Sequence, residues 1–369
     1  MLVRMDNPAP MTPRPPRAAD PLARFAALRV MRTSRVRAPA KPGAPACAPG
    51  LAAPPPHPRE RRSGPAWVPG LAMLAALLVS MPAEAAPGQG QFGYVTAPDG
   101  VPLCVFETGN PQGKELLLIH GFSQSYAVFK RQYEGPLAAD HRIVAFDLRG
   151  HGCSGKPWAE SAYASTRTWA DDVDAVIRAR KLQRPLLVAW SFGGYVSVNY
   201  VEHHGTQGIA GIVMVGSNAG LLPAPTDPAV IARLEAARAA NANRLPDIEA
   251  GIAEGRGFVK LMTAKPAPPD MAEIMFATNQ MLPAYARRAM SRRSLQHDAV
   301  LPRMTTPTLL LVGDQDGSQS VEVLAGLAKR LPDGQLKVMA GAGHAAFIDS
   351  PAEFEAALRE FEAYTATKH

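Results

Sequence analysis

The chain has 369 residues and is 47% hydrophobic, which excludes a wholly disordered protein and leaves room for one large domain or two ordinary ones. Its net charge of +7 is concentrated near the start: residues 1–72 hold 12 of the 39 Lys and Arg but only 3 of the 32 Asp and Glu. The remainder is close to neutral, so its charge gives no reason to expect a nucleic-acid partner. The three cysteines form no Cys-x-x-Cys pair or Cys/His cluster, and we expect no metal site.

Residues 1–60 are an extension rich in proline and arginine that we do not expect to fold. Sixteen of the 36 prolines lie in residues 1–72, where the arginines follow neither a helical nor a strand period. The extension is either a disordered basic segment of the protein or, if translation starts further downstream, absent from the natural product.

Residues 61–85 have the layout of a signal peptide. Arg61 and Arg62 precede an apolar run at residues 71–81, and an Ala-Glu-Ala pattern ends at Ala85. The run is bounded by prolines and is shorter than the roughly 20 apolar residues of a membrane-spanning helix. We therefore expect cleavage near Ala85 and a secreted or periplasmic product without a stable membrane span. An uncleaved membrane anchor is the alternative.

From residue 92 onwards, predicted strands alternate with predicted helices. Eight short apolar stretches read as strands, at residues 92–96, 101–108, 115–119, 141–146, 185–190, 209–215, 308–312 and 335–339. Helical patterns occupy residues 126–137, 166–180, 192–203 and 351–364. This order predicts an α/β fold with a mostly parallel sheet covered on both faces, and the first two strands form an antiparallel hairpin at its edge. The core would comprise residues 90–220 and 302–369.

Residues 221–301 interrupt the alternation. They contain four helix-like stretches, at residues 227–241, 246–263, 269–279 and 283–295, but no predicted strand. We expect a helical cap over the strand ends. Met262, Met275 and Met281, together with Trp190, are candidates for an apolar substrate pocket, although methionines at helical spacing are more often plain core.

Cys104 and Cys153 would remain after the predicted cleavage. The strand that carries Cys104 should run antiparallel to the strand before Cys153, which would bring the two ends close together. An exported protein with two cysteines can hold one disulfide. Two small buried thiols are the other interpretation.

Ser191 lies in the segment Ala189-Trp190-Ser191-Phe192-Gly193, between a strand and a helix. A tight strand-to-helix turn that exposes a serine needs small residues two positions before and two after it, and Ala189 and Gly193 meet that requirement. A serine that merely caps the helix is the alternative.

A nucleophilic serine needs a base, and the base needs a carboxylate that orients it. His344 lies in a glycine-rich loop after the last predicted strand, and Asp314 and Asp316 follow the strand before it. Either aspartate could serve on position alone.

The segments HGFSQS, FDLRGHGCSGKP, AWSFGG, LLVGDQD and GAGHAAF resemble the signature blocks of the α/β-hydrolase superfamily. The resemblance implies an eight-stranded, mostly parallel sheet with a helical cap. It favours Asp316 as the acid, in the order Ser191, Asp316, His344, and an oxyanion hole formed by the backbone N–H groups of Phe122 and Phe192.

The same resemblance assigns supporting roles near the pocket, rather than catalytic ones, to His120, Arg149 and His151.

These residues predict a serine hydrolase that cleaves a small or medium uncharged ester through an acyl-enzyme, like a carboxylesterase. A cofactor-free haloperoxidase or perhydrolase, a lactonase or a C–C bond hydrolase would use the same triad, and a binding protein without turnover is a further alternative. We expect a small-molecule substrate and no cofactor, since no phosphate loop or dinucleotide fingerprint occurs. The oligomeric state is not predicted.

Overall fold

A computed structural model of the protein describes residues 90–242 and 247–368. The extension, the predicted signal peptide and its cleavage site lie outside the described residues. Within these residues, no helix has both the length and the apolar character needed to cross a membrane.

The described chain is organised around one eight-stranded sheet. Its strands are β1 (Gln91–Thr96), β2 (Pro102–Gly109), β3 (Lys114–Ile119), β4 (His141–Phe146), β5 (Leu186–Trp190), β6 (Gly211–Val215), β7 (Thr308–Gly313) and β8 (Gly334–Met339). The spatial order is β1-β2-β4-β3-β5-β6-β7-β8. Strand β2 is antiparallel to both β1 and β4, and the other neighbours are parallel. The predicted α/β fold with a mostly parallel sheet is confirmed.

Ten α-helices accompany the sheet in the described residues. They are α1 (Lys130–Tyr133), α2 (Thr166–Ala179), α3 (Phe192–His204), α4 (Pro228–Ala242), α5 (Ile248–Met262), α6 (Pro269–Met281), α7 (Ala284–Arg292), α8 (Val321–Arg330), α9 (Ala346–Asp349) and α10 (Pro351–Ala366). Helices α4 to α7 lie between β6 and β7, where the sequence predicted a cap.

The helices of the structure differ from the predictions in three places, one of which is the single turn of α9, which was not predicted. The helix predicted at residues 126–137 is broken into a 3-10 turn, the single turn of α1 and a second 3-10 turn. The break falls at Gly135-Pro136, because proline has no N–H with which to continue the helical hydrogen bonds. Helix α8 was not predicted. Ser320 caps it by accepting a hydrogen bond from the Val323 N–H.

The hydrophobic core forms a layer on each face of the sheet. Every residue of β5 and β6 is buried, as in a parallel strand covered on both sides. Along β5, Leu187 and Ala189 face the layer that contains α2 and α3, while Val188 and Trp190 face the layer that contains α10. Because each fully buried large apolar side chain contributes roughly 1.5–3 kcal/mol, this double layer fixes the end of β5, from which Ser191 projects.

A disulfide joins Cys104 on β2 to Cys153 in the loop after β4. The bridge was one of two possibilities at the sequence level, and the antiparallel pairing of β2 with β4 brings the cysteines together. In the same loop, the buried Arg149 guanidinium forms ion pairs with Asp172 and Asp99. These links hold the loop after β4 to β2, to the turn between β1 and β2, and to α2.

Candidate active site

Ser191 occupies a strained turn between β5 and α3. Its backbone has φ 52° and ψ −112°, in a region that residues other than glycine adopt rarely and at a cost. The Ser191 N–H donates to the Val215 carbonyl at 2.8 Å, and a Cβ at Gly193 would lie only 2.3 Å from the Ile119 carbonyl oxygen. The turn therefore needs glycine at position 193, as the sequence motif predicted. At position 189, two residues before Ser191, the small residue of the turn is alanine.

His344 lies in the loop before α9 and contacts Asp316. Its Nδ1 lies 2.9 Å from Asp316 Oδ2, and the Asp316 side chain is fully buried. The backbone carbonyl of His344 accepts a hydrogen bond from Trp190 Nε1 at 2.9 Å, which fixes the loop against β5. With Nδ1 donating to the carboxylate, the lone pair of the neutral imidazole is on Nε2, which is the nitrogen that could act as a base.

Ser318 completes this arrangement, although no sequence motif pointed to it. Its hydroxyl donates to Asp316 Oδ1 at 2.8 Å and lies 2.8 Å from His344 Nδ1, and its backbone N–H also donates to Asp316 Oδ1, at 2.7 Å. Burial alone would raise the pKa of Asp316, but the hydrogen bond and charge of His344, with the two bonds from Ser318, hold that pKa below its ordinary value. The carboxylate thus stays ionised beside the imidazole.

The two candidate aspartates have different surroundings. Asp314 is exposed, and its side chain accepts the Gly341 N–H at 2.7 Å, which supports the turn between β8 and the histidine loop. Only Asp316 contacts His344. Gly216 leaves room for that contact, because a Cβ there would lie 2.9 Å from His344 Nδ1 and 3.0 Å from Asp316 Oδ2.

Phe122 and Phe192 line the second cavity together with Ser191. Neither backbone N–H donates a hydrogen bond to another group within the described part of the chain, so both are open to a bound oxygen. His120 holds the segment before Phe122. Its Nδ1 lies 2.7 Å from the Gly121 carbonyl, and its Nε2 accepts the Leu148 N–H at 3.0 Å. Burial lowers the pKa of His120 to about 4, so the ring is neutral and can accept that bond.

Two cavities open onto Ser191. The first, of about 230 Å³, is lined by Gly121, Phe122, Trp190, Ser191, Tyr195, Gly216, Ser217, Phe258, Met262, Ser318, Gln319 and His344. The second, of about 270 Å³, is lined by Phe122, Ser191, Phe192, Tyr195, Met290, Ser291, Arg293 and Leu295. Ser191 is thus the point that both cavities share, with Phe122 and Tyr195 beside it.

The structure brings some of the predicted pocket residues to these cavities and not others. Trp190 and Met262 line the first cavity. Met275 is fully buried in the core layer that contains α10, and Met281, the last residue of α6, is 45% exposed. The structure therefore does not place Met275 or Met281 at the site, because α6 turns Met275 into the core and ends at Met281 with that side chain facing solvent.

Ser191 and His344 share the first cavity without a hydrogen bond between their side chains among the contacts of the described residues. Hydrogen bonds between catalytic groups are often long in enzymes without substrate and shorten when the substrate binds. The first cavity therefore offers a hydroxyl and an imidazole held by a carboxylate, while Phe122 lines both cavities and Phe192 lines the second.

One group of side chains in the described residues has the spacing of a metal site, namely Cys104, Asp147 and Cys153. Its two sulfur atoms are joined in the disulfide and cannot act as thiolate ligands.

Comparisons with known proteins agree with this fold. The esterase RhEst1 from Rhodococcus sp. ECU1013 is 28% identical, with a TM-score of 0.62 over 74% of this chain and 98% of that one. The AB hydrolase superfamily protein YisY from Bacillus subtilis is 22% identical over 275 residues, which are 73% of this chain and 98% of YisY. The non-heme chloroperoxidase CPO-A1 from Kitasatospora aureofaciens is 31% identical over 122 residues, 33% of this chain and 42% of that protein. Residues 115–351 match the family described as the alpha/beta hydrolase fold, and the chain belongs to that family.

Proposed function

We propose that this α/β hydrolase is a carboxylesterase-like serine hydrolase that cleaves esters of small or medium size through an acyl-enzyme on Ser191. Its similarity to esterases of known structure supports esterase-like activity. Two cavities of about 230 and 270 Å³ favour a small-molecule substrate.

The proposed reaction uses each group for one task. Ser191 Oγ attacks the ester carbonyl while His344 Nε2 takes its proton, and the Asp316 carboxylate stabilises the imidazolium that forms. The Phe122 and Phe192 N–H groups donate to the oxyanion; in comparable enzymes the loss of one such donor costs about 3 kcal/mol. His344 then protonates the leaving alcohol, and water releases the acid by the same steps in reverse.

One observation carries the proposal. Ser191 and His344 line the same cavity, and the far side of the imidazole is held by Asp316 at 2.9 Å. A serine that only capped α3 would not need a histidine partner. The Ser191 side chain also makes no cap hydrogen bond to the helix.

A cofactor-free haloperoxidase or perhydrolase is the second candidate, and the similarity to the chloroperoxidase favours it over the remaining alternatives. Lactonases and C–C bond hydrolases would use the same groups. These reactions differ in the acceptor or in the bond that breaks, rather than in the triad.

A substrate panel tests the proposal. We would measure kcat/KM for p-nitrophenyl esters of increasing chain length, for lactones, and for peracid formation from acetate and peroxide. The Ser191→Ala variant is the control in each assay. Ester cleavage that exceeds the other reactions and disappears in Ser191→Ala supports the proposal, whereas full ester turnover in Ser191→Ala contradicts it.

We also propose that the protein works outside the reducing cytosol, as a secreted or periplasmic enzyme. The Cys104–Cys153 bridge supports this location, because structural disulfides persist mainly in oxidising compartments. N-terminal sequencing of the native protein tests the proposal. A mature chain that begins just after Ala85 supports it, and one that begins near Met1 argues against it.

A further inference from the structure

Arg293 is a buried cation at the edge of the active site. It follows α7 directly, at the end of the predicted cap, and lines the second cavity together with Ser191. The residue is only 5% exposed, and its Nε, Nη1 and Nη2 have no hydrogen-bond partner in the described part of the protein. A buried charge without a partner is strongly disfavoured, so such a group calls for an explanation.

Aromatic rings account for only part of its environment. The guanidinium carbon lies 5.1 Å from the centre of the Trp169 ring and 5.4 Å from that of Phe192. Such contacts contribute about 0.5–2 kcal/mol, less than the cost of a buried, unpaired cation. Burial lowers the pKa of Arg293 to about 10, although the charge of Glu202 acts in the opposite direction. Arg293 and Glu202 form no ion pair among the described residues, and the guanidinium remains charged at neutral pH.

Other buried arginines near the site have protein partners. Arg149 forms ion pairs with Asp172 and Asp99, and Arg287 donates to the Asn279 carbonyl at 3.1 Å. The rest of the second cavity is apolar or hydroxylic, lined by Phe122, Phe192, Met290, Leu295, Tyr195 and Ser291. Within that lining, Arg293 is the charged side chain.

We propose that Arg293 binds a carboxylate carried by the substrate, and that the ester cleaved is a half-ester of a dicarboxylic acid. Its acyl chain would run from the carbonyl at Ser191 through the second cavity to the guanidinium, whose planar fork matches a carboxylate. The inference rests on the proposed esterase function and replaces the uncharged ester expected from the near-neutral body of the chain. Arg293 acts in it as a specificity residue.

The test compares charged and uncharged esters of the same length. We would measure kcat/KM for the monoethyl esters of glutaric, adipic and pimelic acids and for the matching diethyl esters. The variants are Arg293→Met, which removes the charge at similar side-chain length, and Arg292→Met as the matched control. Arg292 is the preceding residue, but it is exposed and pairs with Glu160. Thermal unfolding of each variant checks its fold.

At one chain length, wild type and Arg292→Met should prefer the half-ester over the diester by at least about tenfold, the scale expected when a buried charge pair forms. Arg293→Met should lose that preference because its KM for the half-ester rises more than its KM for the diester. Equal use of the two esters by wild type would overturn the inference, as would an unchanged preference in Arg293→Met. Failure of the proposed function is distinct, since then neither ester is cleaved.

A second measurement needs no variant. Free adipate or glutarate should slow the labelling of wild-type Ser191 by a fluorophosphonate, whereas hexanoate or pentanoate at the same concentration should do so less. Equal effects of the dicarboxylate and the monocarboxylate would argue against a carboxylate site at Arg293.

Discussion

Asp316 and Asp314 are two residues apart, yet only the first faces the imidazole. On position alone, either aspartate could have been the acid that orients His344, and the resemblance to the α/β-hydrolase superfamily favoured Asp316. The structure provides the physical reason: Asp316 is buried beside His344 Nδ1, whereas Asp314 is exposed and accepts the Gly341 N–H.

Asp316→Asn should therefore lower kcat by about 10³-fold or more, because an amide cannot hold the imidazole in the same tautomer or stabilise its charged form. Asp314→Asn is the matched control and should retain kcat within about threefold, with at most a small loss of stability. Ester kinetics on both variants check this. Similar losses in the two variants would show that position 316 has no special role.

Ser318 could not be identified from the sequence, because serine is common in loops and its role depends on the fold of a chain segment 26 residues later. Its two hydrogen bonds help to hold the pKa of Asp316 low. Replacing it with alanine removes the hydroxyl bond, so the pKa of Asp316 should rise.

In Ser318→Ala, activity at the acid end of the pH profile should fall further below that of wild type, since the carboxylate takes up a proton more easily and then no longer holds the imidazole. We expect kcat to fall by about tenfold with little change in KM. Ser320→Ala, which removes the cap of α8, is the control and should leave the pH profile unchanged. A pH–kcat profile that does not move in Ser318→Ala would show that the residue does not position the Asp316–His344 pair.

At the scale of elements, the long periodic helices could be predicted to within a few residues, because one apolar face repeats along each of them. The predicted helix at residues 166–180, for example, is α2, which ends at Ala179. The prediction of one helix at residues 126–137 was wrong. The apolar pattern continues through Gly135-Pro136, but the proline has no N–H with which to continue the helical hydrogen bonds. Helix α8 was missed.

The close packing of the turn between β5 and α3 predicts that it cannot accept a larger residue at position 193. Gly193→Ala would place a Cβ 2.3 Å from the Ile119 carbonyl oxygen, so the turn must shift and both stability and ester turnover should fall. Gly326→Ala in α8 meets nothing within 4 Å and should be neutral or stabilising by up to about 1 kcal/mol. Urea unfolding and ester kinetics on both variants test the contrast. If Gly193→Ala kept the stability and ester turnover of wild type, the turn would have room for a Cβ at position 193.

At the scale of the whole molecule, the alternation of strands and helices was enough to predict the sheet and its antiparallel edge. It was not enough to decide whether Cys104 and Cys153 are bridged, because side-chain proximity depends on the register of β2 against β4. Of the predicted pocket residues, Trp190 and Met262 line a cavity, whereas Met275 and Met281 do not, because the packing of the helices between β6 and β7 decides which of their side chains reach the site.

The disulfide should contribute measurably to stability. It joins residues 49 apart in sequence, and a loop of that length implies up to about 4 kcal/mol from restriction of the unfolded chain. Cys104→Ser/Cys153→Ser should therefore unfold at a lower urea concentration than wild type. Under a strong reductant, wild type should unfold at the same urea concentration as the double variant. If oxidised wild type and the double variant unfold together, the bridge has no stabilising role.

Two buried histidines near the site should make stability depend on pH. Burial lowers the pKa of His120 to about 4 and that of His151 well below its ordinary value of 6.5. Below pH 6.5 the unfolded chain binds protons at these positions while the folded chain does not, so their contribution to stability is lost as the pH falls. Burial raises the pKa of Asp147 to about 6, which acts in the opposite direction.

Because these effects oppose each other, the test compares wild type with a variant that lacks the His151 imidazole. His151→Phe should lose less free energy of unfolding than wild type between pH 7 and pH 4.5, as measured by urea unfolding. Equal losses in the two proteins would mean that His151 does not stay neutral in the folded state.

The most direct test of the account is to identify the residue that reacts with a fluorophosphonate. Wild-type protein should acquire one phosphonyl group, mapped by peptide mass spectrometry to Ser191, with ester turnover lost in proportion to labelling. Asp316→Asn should label much more slowly, because its imidazole is no longer held as a base. A label on another residue, or ester turnover that survives complete labelling of Ser191, would contradict the proposed mechanism.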